Sequence, residues 1–224
     1  FRATPAELVA SPDVADLWAD LGSRWRVMEQ YLKPYPVCRW AQPAVEAAMA
    51  LRLHLDPGRI VRVRIASFAE AVALAGAAPA DGDAAQYALA FPVAAALVHG
   101  RLGAEEIDGA GLHDARVLDL AQRMDLVAED RFDRRFPVER WCEVTVTLTD
   151  GTTRSSGEVT TRGDAASPLT DTQVRAKAET LMGAGTAEAL AALLLDLDGP
   201  PTTAALWEVL ADGSLGARVS TAKS

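Results

Sequence analysis

Hydrophobic and polar residues alternate in the segment RIVRVRIASF, residues 59–68. Most of its aliphatic residues alternate with its three arginines, which is typical of a β-strand with one face in water. A second, shorter strand is predicted in DLVAED, residues 125–130.

The clearest local pattern lies in residues 139–162, ERWCEVTVTLTDGTTRSSGEVTTR. Alternation over residues 141–148 predicts one strand, and the dipeptide Asp150-Gly151 is typical of a tight hairpin turn. A return strand is expected after the turn. Residues 59–162 are therefore predicted to form one sheet of about four strands, with Asp150-Gly151 at a hairpin tip.

Helices are predicted between and around these strands. Pro43 fits the first turn of a helix that continues over residues 44–55. The apolar stretch 83–100 predicts a buried helix that ends at Gly100, with Pro92 marking either a kink or the true start. Further helical segments are expected at residues 1–31 (with Ser11 or Asp13 as the cap), 113–124, 170–182, 186–196 and 201–211.

The order of these elements predicts an α+β fold. We expect a two-layer sandwich with a mostly antiparallel four-stranded sheet, helices on one face, and flanking N- and C-terminal helices. The predicted organisation is a helical lead-in over residues 1–58, an α+β domain over residues 59–168, and C-terminal helices over residues 169–224.

The composition is that of a soluble globular protein, because half of the 224 residues are hydrophobic and 24% are charged. The net charge of −9 argues against a nucleic-acid partner, since a phosphate backbone requires a basic surface. An anionic small-molecule substrate would instead need a few basic side chains focused in a cleft. No run of 18 apolar residues is present, so no membrane-spanning segment is predicted.

The cysteines and the first residue bear on the cellular setting. Cys38 and Cys142 lie far apart in the sequence, which favours reduced thiols in a cytoplasmic protein over a disulfide framework. The chain begins at Phe1 rather than at a methionine, and we expect it to be a piece of a longer protein.

One of only three lysines, Lys33, lies in the rigid segment LKPYPVCRW. Pro34 and Pro36 restrict the backbone between Lys33 and Arg39. We predict that the two basic side chains converge on one concave surface, within reach of a small carboxylate. Two interpretations remain open: the segment binds an anion, or it only fixes the start of the following helix.

Other candidate residues carry weaker signals. Gln86 lies at the start of the predicted buried helix, where a core or capping role competes with substrate contact. The turn at residues 162–164 can present the Arg162 guanidinium and backbone N–H groups to a carboxylate. No histidine has a second ligand at metal spacing, so structural or surface roles are expected for them. Solvated charge is the favoured interpretation of the acidic residues Asp125, Glu129 and Asp130.

Several segments together resemble one family. LKPYPVCRW followed by PAVEAAMAL, within residues 32–51, resembles the lysine-containing loop of the MmgE/PrpD family. Its members include 2-methylcitrate dehydratase, cis-aconitate decarboxylase and iminodisuccinate epimerase. Residues 85–100 and 144–181 resemble the family's buried helix, closing hairpin, Gly-Asp turn and C-terminal helix. The resemblance covers nearly the whole chain but only the C-terminal half of the family, whose members carry a large helical domain ahead of it.

The resemblance implies a lid-like α+β domain that closes over an active site shared with the helical domain. The family chemistry removes or shifts a proton beside a carboxylate, and no metal or organic cofactor is implied. Lys33 matches the family's active-site lysine and would pair with a substrate carboxylate as an enediolate develops. The further residues expected to contact the substrate are Tyr35, Arg39, Gln42, Gln86 and Arg162.

This sequence departs from the family pattern at three positions. Gln42 stands where many members have a histidine, and Ala88 and Phe91 stand where many have a serine and a tyrosine. A glutamine can hold a carboxylate by hydrogen bonds but cannot transfer protons. The general base is therefore expected from the N-terminal half, and the chain alone is expected to fold without catalysing.

The function expected from the resemblance is the C-terminal portion of a carboxylate lyase or isomerase, most simply a dehydratase of a small di- or tricarboxylic acid. The alternative is a non-catalytic module that binds carboxylates or serves a structural role. The expected partners are a small carboxylic acid, the N-terminal helical half and, in the full-length form, a second copy in a homodimer.

Overall fold

A computed structural model describes residues 18–195 and the isolated positions 204, 207, 208 and 211. The described strands are β1 (Ile60–Ser67), β2 (Met124–Ala128), β3 (Trp141–Leu148) and β4 (Thr153–Thr160). The described α-helices are α1 (Gln42–Arg52), α2 (Ala69–Val72), α3 (Gly82–Gln86), α4 (Ala90–His99), α5 (Ala104–Ile107), α6 (Ala115–Gln122), α7 (Asp130–Asp133), α8 (Asp171–Met182) and α9 (Ala184–Leu195). Short 3-10 helices are formed by Arg26–Glu29, Pro57–Arg59 and Gly109–His113.

The four strands form one sheet in the order β2-β1-β3-β4. This confirms the predicted sheet within residues 59–162, and Asp150-Gly151 lies in the turn between β3 and β4. The prediction of a mostly antiparallel sheet fits β1–β3 and β3–β4, whereas β1 and β2 are parallel. The sheet is mixed because the helices between β1 and β2 return the chain to the same end, as a parallel pair requires.

Alternation along the central strands separates a buried from a solvated face. Val63 and Ile65 of β1 and Val144 and Val146 of β3 are fully buried. Helix α1 packs against β3 and β4, and α4 packs between α1 and α6. The opposite face of β1 carries its arginines, as the pattern predicts. The larger core cluster of the described residues is therefore built between one sheet face and these three helices, and a smaller one is formed by Ala66, Phe68, Ala71 and Phe132.

The buried helix predicted over residues 83–100 is divided in two, and of the two interpretations of Pro92 the structure supports the one in which it marks the true start of the helix. Helix α3 ends before Tyr87, and α4 begins at Ala90 with Pro92 in its first turn. A proline is tolerated in the first turn because the N–H group that it lacks would have no partner there. Gly100 ends the helix with a left-handed φ of 70°, as predicted.

The ends of the chain agree with the predictions to different degrees. Residues 19–31 form turns and the 3-10 helix Arg26–Glu29, so the helix predicted through this stretch is wrong. Its apolar side chains are exposed, and a short helix without a packed face gains little stability. Residues 1–17, with the predicted caps, lie outside the described residues, as does most of 201–211. The helices predicted at 170–182 and 186–196 are confirmed as α8 and α9.

None of the helices among residues 18–195 combines the length and the apolar character that crossing a bilayer requires.

Replacing Phe91 in α4 by alanine should lower the free energy of unfolding by about 3–5 kcal/mol. The Phe91 side chain is fully buried, so its removal leaves a cavity in the core. Chemical denaturation of the 224-residue chain measures the effect. The matched control is Tyr87→Ala just upstream, where the ring is 66% exposed and a change of about 0.5 kcal/mol or less is expected. Equal losses in the two variants would contradict the position of α4 in the core.

Candidate functional site

The KPYP loop (residues 32–39) enters α1 and is held from the inside by Gln42. The Gln42 side chain is only 1% exposed. Its Nε2 donates to the carbonyl oxygens of Tyr35 (2.8 Å) and Val37 (2.9 Å), and its Oε1 accepts from the Tyr35 N–H (3.3 Å). Pro34 and Pro36 have no N–H group to donate to carbonyl oxygens of the loop. The Gln42 amide supplies partners for the backbone groups of Tyr35 and Val37 instead. Gln42 therefore fixes the path of the loop.

Both ends of the KPYP loop are attached to other parts of the fold. The Leu32 N–H donates to the carbonyl oxygen of Gly163 (2.7 Å), in the turn that follows β4. The Cys38 N–H donates to the carbonyl oxygen of Gln86 (2.7 Å), at the end of α3. The loop is thus connected to the sheet on one side and to the helical layer on the other.

The contact with Gly163 requires glycine. Its φ of 94° is rarely adopted by other residues, and a Cβ atom at this position would lie 2.0 Å from the Leu32 carbonyl oxygen. The Gly-Asp turn (residues 162–164), which the sequence pattern singles out, therefore packs directly against the start of the KPYP loop.

A charged bridge joins the KPYP loop, α1 and the Gly-Asp turn. Glu46 Oε2 accepts from the Tyr35 hydroxyl (3.0 Å), and Arg162 holds the same carboxylate through Nε (2.7 Å) and Nη2 (3.1 Å). Such two-point pairing fixes both partners in orientation as well as distance. Burial, and then the negative charge of Glu46, raise the pKa of Tyr35 above its usual range. Tyr35 is thus a neutral hydrogen-bond donor at this site.

Arg39 at the end of the loop is also paired. Its Nη2 lies 2.7 Å from Asp164 Oδ2, and its Nη1 lies 3.4 Å from the Thr161 hydroxyl. The guanidinium also stacks over the Tyr31 ring, 4.1 Å from the ring centroid. Only 12% of the Arg39 side chain is exposed, so Asp164 occupies most of its capacity to bind a carboxylate.

Lys33 differs from these two arginines. Its side chain is partly buried, and no carboxylate lies within ion-pair distance of it in the described part of the chain. Lys177 on α8 lies near enough that burial and then the positive charge of Lys33 lower the pKa of Lys177. Two ammonium groups therefore lie near one another without a described acidic partner, which makes this the region of the site that is most favourable to an anion.

Gln86 lines a different depression. Its side chain is exposed beside Pro36, at the edge of a cavity of about 460 Å³. Asp81, Asp83 and Asp108 line the same cavity. Three carboxylates oppose the binding of an anion next to the Gln86 side chain. Gln86 therefore supports the site only through its backbone carbonyl group, which binds the Cys38 N–H.

Hydrogen bonds and ion pairs tie Tyr35, Arg39, Gln42 and Arg162 to the loop and to the Gly-Asp turn, and Lys33 lies on the same loop. The predicted convergence of Lys33 and Arg39 on a concave surface stays a prediction. Sequence reasoning missed three partners: Glu46, Asp164 and Lys177. Glu46 follows Gln42 by four residues on α1, and that spacing could have indicated a shared helix face. Asp164 and Lys177 act across long sequence separations that no local pattern shows.

The remaining candidates lie away from the loop. Asp125 pairs with Arg62, and Glu129 pairs with Arg64 and Arg131, so these acids form surface ion pairs. His99 Nε2 lies 3.1 Å from an Asp114 carboxylate oxygen. Burial raises the pKa of the Cys142 thiol, which makes it an unreactive packing residue. Among the described residues, no group of three metal-ligating side chains is close enough to hold an ion.

Comparison with known proteins identifies one family. The model of the MmgE/PrpD C-terminal domain matches residues 35–198, which include the KPYP loop from Tyr35 onwards, the sheet, and helices α8 and α9. A comparison with curated proteins found no match.

Replacing Gln42 by alanine should lower the free energy of unfolding by about 1–3 kcal/mol, because the Tyr35 N–H and the Val37 carbonyl group lose their partner. Urea denaturation of the 224-residue chain measures this loss. The matched control is Gln30→Ala, at an exposed position, where about 0.5 kcal/mol or less is expected. If both variants unfold at the same urea concentration, Gln42 does not hold the loop.

Proposed function

Because this chain belongs to the MmgE/PrpD family through its C-terminal domain, we propose that it is the substrate-closing portion of a carboxylate lyase or isomerase. The simplest activity is dehydration of a small di- or tricarboxylic acid, without a metal or organic cofactor. The α+β region over residues 59–168 would act as a two-layer lid. The proposed setting is a cytoplasmic homodimer that contains the N-terminal helical half.

The observation that carries this proposal is the position of Lys33. Its ammonium group belongs to a loop whose backbone is fixed by Gln42, and it has no acidic partner in the described part of the chain. In a chain with a net charge of −9, a basic side chain on a fixed loop with no described acidic partner gives an anion a local place to bind. A fixed positive charge stabilises negative charge as it develops on a substrate, because it needs no reorganisation during the reaction.

The roles of the surrounding residues follow from their partners. Lys33 is the proposed catalytic residue, which binds a substrate carboxylate and stabilises an enediolate. Tyr35, Arg39 and Arg162 form the proposed wall of the site, with the two arginines held in orientation by Asp164 and Glu46. Gln42 acts through the loop backbone. The Gln86 side chain is left out of the proposed site because aspartates surround it.

The general base is proposed to come from the N-terminal half. Proton abstraction beside a carboxylate needs a positioned base with a suitable pKa. The acids next to the loop are already paired, Glu46 with Arg162 and Asp164 with Arg39. Gln42 occupies the family's histidine position and cannot transfer protons. The described part of this chain therefore offers charge and orientation at the site, but no evident base.

Exposed apolar residues ahead of the loop are consistent with this division. Leu21, Trp25, Val27 and Met28 are each at least 69% exposed. A cluster of large apolar side chains in water is typical of a surface that another protein segment covers. We propose that the N-terminal helical half covers this segment and completes the active site beside the KPYP loop.

The 224-residue chain alone should show no turnover of 2-methylcitrate or cis-aconitate, because the proposed base lies in the N-terminal helical half. Turnover of one family substrate should be seen when the N-terminal helical half is supplied. Product formation followed by absorbance or chromatography measures both reactions. Robust turnover by the chain alone would refute the proposed division. Binding of these acids without turnover in either case would favour the alternative, a non-catalytic carboxylate-binding module.

In the assembled enzyme, Lys33→Ala should lower kcat/KM by about two powers of ten, which corresponds to about 3 kcal/mol for one lost charge-stabilising contact. The matched control is Arg134→Ala, which removes the same charge from an exposed position after α7 and should change kcat/KM by about twofold or less. Steady-state kinetics measure both variants. Near-normal kcat/KM in Lys33→Ala would assign Lys33 to a structural role.

A further inference from the structure

Lys177 on α8 reaches the backbone of the KPYP loop. Its Nζ donates a hydrogen bond to the carbonyl oxygen of Lys33, across a separation of 144 residues in the sequence. An ammonium group has three N–H donors, so this bond leaves others for a further acceptor. Lys177 is partly buried, and no carboxylate lies within ion-pair distance of it among the described residues.

The bond fixes the residue that carries the proposed catalytic charge. Gln42 holds the loop at Tyr35 and Val37, and Gly163 holds it at Leu32. The carbonyl group of Lys33 lies between these attachments, and Lys177 supplies its partner. The direction of the Lys33 side chain depends on the backbone at its own Cα, so the Lys177 bond limits where that ammonium group can point.

The packing of helix α8 does not by itself explain why the Lys177 side chain is held at the loop. The helix contains no fully buried residue, and it packs chiefly against α9. Partial burial and the nearby charge of Lys33 both disfavour the charged form of Lys177. A carboxylate bound next to the two ammonium groups would offset this repulsion. Holding the charged Lys177 side chain next to Lys33 thus lowers the stability of the free protein and favours the binding of an anion.

We propose that Lys177 is a positioning residue of the anion site, which holds the Lys33 backbone through its hydrogen bond and adds a second positive charge for the bound acid. This inference rests on the proposed function, because it requires that an acid bind at Lys33. It extends the site from the KPYP loop and the Gly-Asp turn to the C-terminal helix α8.

The test is the affinity of the 224-residue chain for citrate, measured by calorimetry at pH 7 and low ionic strength, alone and with the N-terminal helical half. Lys177→Gln keeps a hydrogen-bond donor and removes the charge, and it should raise the Kd for citrate about tenfold. Lys177→Arg keeps the charge and should restore the affinity to within about threefold. The matched control is Arg175→Gln, which removes the same charge two residues earlier on α8. The Arg175 side chain lines the groove between α8 and α9, so this change should alter the Kd for citrate by about twofold or less.

Thermal unfolding distinguishes a positioning role from a structural role of Lys177. For a positioning role, the Tm of Lys177→Gln should stay within about 2 °C of the wild-type value. The inference is overturned if Lys177→Gln binds citrate as the wild type does. If Lys33→Gln loses citrate binding in the same experiment, the proposed function still stands. The inference is also overturned if Arg175→Gln weakens binding equally, or if Tm falls and Lys177→Arg does not restore affinity. If the wild-type protein does not bind citrate in either form, both the inference and the proposed function fail.

Discussion

The buried side-chain amide of Gln42 is the interaction on which the candidate site depends. Backbone polar groups that lie against a core must find partners, and a loop with two prolines has few donors of its own to arrange them. Gln42 supplies three hydrogen bonds from the first residue of α1, so the position of the loop is tied to the position of that helix. Because α1 packs against β3, β4 and α4, the loop is attached through Gln42 to the packed core.

A second set of constraints, made of charges, joins this loop to the turn after β4. Glu46 lies one helical turn beyond Gln42 and binds both Tyr35 and Arg162, while Asp164 binds Arg39. These pairs bring two arginines to the loop and neutralise them there. Lys33 and Lys177 have no acidic partner among the described residues, so under the proposed function they supply the positive charge for an anion.

The parts of this fold that depend on local pattern are predictable from the sequence. Alternation around Val144 and the Asp150-Gly151 turn identify the sheet and its hairpin, and Gly100 identifies the end of α4. The site is predictable only in part, because side-chain partners depend on the tertiary fold. Arg39 and Asp164 are 125 residues apart, and the bonds of Gln42 go to backbone atoms, which no residue pattern records. The KPYP segment identifies the loop but not what holds it.

The identity of residue 42 limits what this side chain can do at the start of α1. A histidine at the start of α1 could both hold the loop and exchange protons, whereas a glutamine can only hold it. The geometry of Gln42 shows that the holding task uses both ends of its amide: Oε1 accepts from Tyr35 and Nε2 donates to Val37 as well. A neutral imidazole offers one donor and one acceptor, so a histidine here could not form all three bonds. The loop of this chain is therefore fixed more completely by glutamine, and under the proposed function proton transfer must be supplied by a group that approaches the loop from outside the described residues.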